Sequence, residues 1–137
     1  MTLVASCDSD DDKSFVGQKK VFQLNSVAFP GISGTATFIE NQDKSTTVEL
    51  KLTGTPDGGM HPAHIHMGSV ANAPGSILLT FNPVNGDTGM SKTNVSKLDD
   101  QTSFGYSNVL SVYGYVNVHL SAEDLGIIVA QGNVGVN

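Results

Sequence analysis

The sequence predicts an all-β fold, a Greek-key antiparallel β-sandwich or barrel of seven or eight strands. Three observations lead there. Apolar and polar residues alternate with period two in several short segments, the pattern of strands with one buried face. Clusters of Gly, Pro, Asn and Asp separate those segments, as tight turns require. The composition, with 15% charged residues, 15 glycines and no Trp, suits strands and turns better than helices. At 137 residues the chain is long enough to bury one sizeable core.

Taken in order, Val21 to Val27 reads as a first strand, ended by Pro30-Gly31. Gly34 to Glu40 is a second, followed by the turn Asn41-Gln42-Asp43. Thr47 to Leu52 alternates cleanly, with Val48, Leu50 and Leu52 inward and Glu49 and Lys51 outward. Pro56-Asp57-Gly58-Gly59 is a loop that delivers a histidine-rich strand over Ala63 to Met67. Gly68 to Gly75 is irregular. Ser76 to Phe81 is a short apolar strand, and Gly89 to Val95 is a weaker one. A helical turn is expected around Ser107 to Val112, then strands over Tyr115 to Leu120 and Ile127 to Ala130. No segment is apolar for long enough to span a membrane as a helix.

The N-terminus carries a different signal. Leu3-Val4-Ala5-Ser6-Cys7 resembles the end of a bacterial lipoprotein signal, in which small residues precede a Cys that is lipidated after cleavage. Cys7 is the only Cys, so it has no internal disulfide partner. The acidic run Asp8-Ser9-Asp10-Asp11-Asp12 that follows is similar to the tether of surface-exported lipoproteins of the Bacteroidetes group. Residues 1–18 are therefore expected to be a remnant signal, lipidation Cys and tether, and residues 19–137 a single β-barrel domain. The resemblance implies a bacterial cell-envelope location, with a lipid on Cys7 as the only membrane contact. The four aspartates of that run, with Lys13, account for about half of the net charge of −6. No basic patch is left to neutralise phosphates, which argues against nucleic acid as a partner.

The chemistry is concentrated in the histidines. Three of the four, His61, His64 and His66, fall in one eight-residue stretch, and the fourth is His119. Strand alternation puts Ala63, Ile65 and Met67 in the core and turns His64 and His66 to the opposite face. The same alternation in Tyr115-Val116-Asn117-Val118-His119-Leu120 buries Val116, Val118 and Leu120 and turns Tyr115, Asn117 and His119 outward. Every strand histidine thus lies on the face away from the core. That placement is poor for packing and suitable for a ligand site. His61, held beside Pro62, is a possible fourth ligand from a loop. Imidazoles suit Cu, Zn and Ni alike. A thioether from Met60 or Met90 would favour Cu(I), whereas Met67 should pack in the core. No nucleophile elbow, P-loop or dinucleotide fingerprint is present.

These segments resemble the copper-ligand segments of the Cu/Zn superoxide dismutase family. His64-Ile65-His66 matches its His-x-His strand, and Val118-His119 followed by Asp124-Leu125-Gly126 matches its later Val-His and Asp-Leu-Gly. Phe81-Asn82-Pro83 and Gly132-Asn133-Val134-Gly135 are similar to two further motifs, and the order holds from about Gly31 to Asn137. Tyr115-Val116-Asn117-Val118-His119 is also similar to the Val-Asn-Val-His strand of CHRD domains. The dismutase resemblance implies a superoxide dismutase-like barrel that binds one copper-type ion through His64, His66 and His119, with or without His61. It also implies a hydrogen bond from a ligand imidazole to Glu123 or Asp124. The departures are specific. Thr80 stands where the family has its metal-bridging histidine, the zinc ligands and the half-cystine pair are missing, and the anion-guiding arginine would fall near Asn137. Copper is therefore the expected metal and zinc is not. Metal binding, with a possible redox role, is expected ahead of dismutation. The CHRD likeness implies the other reading, a metal-free structural or adhesion module on the cell surface.

Overall fold

The computed structural model describes residues 15–137. Cys7 and the acidic tether lie outside the described residues. The rest folds as one antiparallel sheet curled into a half-barrel around a single apolar core. Its strands are β1 (Lys19–Ser26), β2 (Ser33–Glu40), β3 (Thr46–Thr53), β4 (Met60–His61), β5 (Ala63–Met67), β6 (Ile77–Thr80), β7 (Val84–Asn85), β8 (Met90–Val95), β9 (Tyr113–His119) and β10 (Ile128–Gly135). Eight of these have four or more residues, and β4 and β7 are two-residue pairings. One short helix, α1 (Tyr106–Val109), and a 3-10 turn over Val70–Asn72 complete the described residues.

The strand order is β4-β7-β8-β3-β2-β1-β10-β9-β5-β6. β1, β2 and β3 are consecutive neighbours, and β10 returns from far along the chain to lie beside β1. That is the Greek-key arrangement. β1 makes the corner: its first six residues pair with β2, and Asn25 and Ser26 pair with β10.

Pro62 makes the second corner. It alone separates β4, at one edge of the sheet, from β5, near the other. A proline cannot donate to a ladder, so the pairing changes partner there. The Met60–Met67 stretch thus bridges the two edges. Opposite it, the backbone N–H of His119 donates to the Pro62 carbonyl at 2.8 Å.

The alternation holds where the core is concerned. Val48, Leu50, Ala63, Ile65, Val116 and Val118 are all at most 1% exposed, while Lys51 and Thr53 on β3 face solvent. One expectation is corrected. Met67 does not pack in the core but is 51% exposed. It ends β5 at the barrel rim, opposite Gly114, which offers no side chain to pack on. Tyr115, Asn117 and His119 do point away from the core, yet they are 0%, 7% and 5% exposed. Two loops, residues 68–76 and 121–127, cover that face. β10 also runs to Gly135, past the expected end at Ala130.

Candidate metal centre

Two adjacent strands build the site. β5 pairs with β9 so that His64 lies opposite Asn117 and His66 opposite Tyr115. Residues directly opposite on one face have Cβ atoms about 5 Å apart. His119 follows two residues after Asn117, on the same face. The register therefore brings His64, His66 and His119 together although 55 positions separate the first from the last. One ligand nitrogen from each of the three lies within 4.8 Å of the others.

Each ring is fixed by what its other nitrogen meets. His66 Nδ1 is 2.9 Å from the Gly75 carbonyl oxygen, and His119 Nδ1 is 2.7 Å from that of Leu125. A carbonyl only accepts, so both Nδ1 atoms carry the proton and both Nε2 atoms present lone pairs. His119 Nε2 is 3.1 Å from His64 Nδ1. That contact makes His64 Nδ1 the donor in the metal-free protein. His66 Nε2 is buried and meets no hydrogen-bond partner. A buried, unsatisfied acceptor is costly, and here it points into a cluster of two further imidazoles.

The ring contacts agree. His64 packs edge-on against both His66 and His119, with centroids 5.6 and 5.0 Å away. On its far side His66 stacks on Tyr115, 5.3 Å between centroids. The Tyr115 hydroxyl accepts from the N–H of Gly75 at 2.8 Å, so Gly75 holds both the His66 ring and the ring behind it. Gly75 sits so close to β5 that a Cβ there would run into the backbone carbonyl of Met67.

The electrostatics keep the cluster ready for a cation. Burial, with His119 and His66 adding to it, pushes the His64 imidazole down from 6.5 to about 4, and the Asp99 carboxylate opposes this weakly. Burial also holds His119 below its ordinary value, against the Leu125 carbonyl, which favours the charged form. Both rings are thus neutral near pH 7, the state a metal needs. Ligands about 2.0–2.1 Å from one tetrahedral ion lie roughly 3.4 Å apart, so small ring rotations close this group on a metal. The described residues can therefore hold a metal ion through His64, His66 and His119.

No protein-family model and no curated protein matches this chain.

The remaining sequence-derived residues fall outside the group of three. His61 is buried, and its Nδ1 donates to the backbone carbonyls of Leu120 and His119 at 2.9 and 3.2 Å. It grips the backbone of the His119 segment from behind, and its own Nε2 is buried without a partner. Glu123 and Asp124 are exposed, and the Asp124 carboxylate faces the Ser121 hydroxyl at 3.4 Å. The expected hydrogen bond from a ligand imidazole to Glu123 or Asp124 is thus corrected: the His119 ring meets the backbone carbonyl of Leu125, in the same loop, and the His66 ring that of Gly75. Thr80 lies opposite His64 on β6 and donates its hydroxyl to Asp99 at 2.6 Å. The acid whose charge reaches the site is therefore Asp99, which the motifs did not single out. Met60 and Met90 are 47% and 40% exposed.

Proposed function

We propose that this protein is a lipid-anchored, superoxide dismutase-like barrel of the bacterial cell envelope that binds one copper ion through His64, His66 and His119. The observation that carries the reading is the convergence of three imidazoles from two distant segments. Two of them are tied through Nδ1 to carbonyls, which leaves the Nε2 of His66 without a partner and that of His119 against His64 Nδ1. Copper is chosen among imidazole-binding metals by the sequence resemblance and by the exported location that Cys7 and its acidic tether suggest. The metal would supply a Lewis acid or a one-electron couple. The chain's own residues supply neutral, pre-oriented donors and a face covered by two loops. Dismutation would also need guidance of an anion, and Thr80 and Asn137 replace the residues that the resemblance would require. Metal binding is therefore the function proposed, with redox activity as a separate question for a superoxide assay on the copper-loaded protein.

Titration of the metal-free protein with Cu(II) and Zn(II), followed through the histidine ring resonances by NMR, tests this. His64, His66 and His119 should respond together and saturate at one equivalent. Independent responses, or none below a large excess, would leave the metal-free structural module as the better account.

A further inference from the structure

Asn117 has no assigned task, yet it lies on the floor of the histidine cluster. It is directly across from His64 in the β5–β9 register, and two residues before His119 on the same face. It lines one cleft together with His66 and His119. The residue is 7% exposed, and its Oδ1 is fully buried with no hydrogen-bond donor within reach. A buried carboxamide oxygen left unpaired costs roughly 1–3 kcal/mol. A valine, as at Val116 and Val118 on the neighbouring positions, would fill a strand here without that cost. His66, whose Nε2 is likewise buried and unpaired, lines the same cleft. As the carboxamide is oriented, both atoms are acceptors and neither satisfies the other. A cation satisfies both.

We infer that the Asn117 carboxamide oxygen is a fourth donor to the metal, beside His64, His66 and His119. This rests on the proposed three-histidine site and sharpens it. The donor set becomes three imidazoles and one neutral oxygen. An oxygen donor is harder than a thioether and favours Cu(II) over Cu(I). It also takes the place that His61 offered as a possible fourth ligand, since His61 Nδ1 is committed to backbone carbonyls.

The test uses the full chain loaded with one equivalent of Cu(II). Electron-nuclear double resonance on protein carrying 13C in its Asn carboxamide carbons should show one resolved carbon coupling, which disappears in Asn117→Leu. Asn117→Leu should also bind Cu(II) at least tenfold more weakly, on the order found when a metal site's support is removed. Asn117→Asp, which keeps an oxygen at the same place, should bind within a few-fold of the parent. A wild-type Cu(II) spectrum with imidazole nitrogen couplings but no carboxamide carbon coupling overturns the inference and leaves the three-histidine site intact. A wild-type spectrum without imidazole couplings overturns both. The measurement on unmutated protein decides the matter even if Asn117→Leu fails to fold.

Discussion

β3 and β9 carry the same period-two signal and come to opposite ends. On β3, Val48 and Leu50 are buried while Glu49 is half-buried and Lys51 exposed. On β9, every residue from Gly114 to His119 is buried. The difference is what lies over the outer face. β3 has solvent there, with Glu49 meeting only Lys92 at 3.5 Å. β9 has the 68–76 and 121–127 loops, tied down by His66 to Gly75, Tyr115 to Gly75 and His119 to Leu125. Alternation decides which residues leave the core. The loops decide whether those residues become surface or site.

The sharpest way to break this contrast is to remove a ring from the β9 side. His119→Ala should weaken copper binding by about 100-fold or more, the upper range for damage to a metal site, although His119 is 55 positions from His64. Isothermal titration at pH 7 measures it. An unchanged affinity would mean that the two segments do not share a metal.

A substitution in the cover should cost stability as well. Gly75→Ala puts a methyl against the Met67 carbonyl and displaces the residue that holds His66 and Tyr115. We expect a loss of about 3 kcal/mol in urea unfolding, the upper part of the usual range. Weaker copper binding should accompany it. A Gly75→Ala protein as stable as the parent would show that the loop is not pressed against β5.

The acid response of the metal-free protein is smaller and has a definite sign. His64 titrates near 4 when folded and near 6.5 when unfolded. Between those values the unfolded chain binds more protons, so stability falls as pH drops from about 6.5 to 4 and is unaffected by this group above 6.5. The His64→Gln variant should lose less stability over that interval than the parent does. Equal losses would assign the acid sensitivity elsewhere.

On the β3 side the effects should nearly vanish. Lys92 is 68% exposed and its partner Glu49 is 30% exposed, so Glu49→Ala should change stability by less than about 1 kcal/mol. It should leave metal affinity untouched. A larger effect on metal binding would contradict the separation of the two faces.

The contrast also explains what was legible in the sequence. The core was, because Val48, Leu50, Ile65, Val116 and Val118 each occupy the inward phase of a regular alternation. The three clustered histidines were, because all occupy the opposite phase on strands. The hydrogen-bond partners were not. Gly75 and Leu125 act through backbone carbonyls, which every residue has, so no side-chain pattern marks them. The acids of the 121–127 loop looked like better candidates only because carboxylates are visible in a sequence and carbonyls are not. The length of β10 was hidden for a related reason. Gly132 lowers its strand signal, yet glycine is what allows close passage, since a Cβ there would meet the Gln23 carbonyl on β1. Met67 shows the limit of alternation itself: its phase points inward, but the core has ended where β9 offers only Gly114.

The central claim is that one copper ion is held by three imidazoles drawn from both segments. X-ray absorption at the copper edge, on full-length protein loaded with one equivalent, tests it most directly. The account predicts multiple scattering from three imidazoles with nitrogen near 2.0 Å, falling to two in His119→Ala. A copper environment with one imidazole or none, unchanged by His119→Ala, would contradict it.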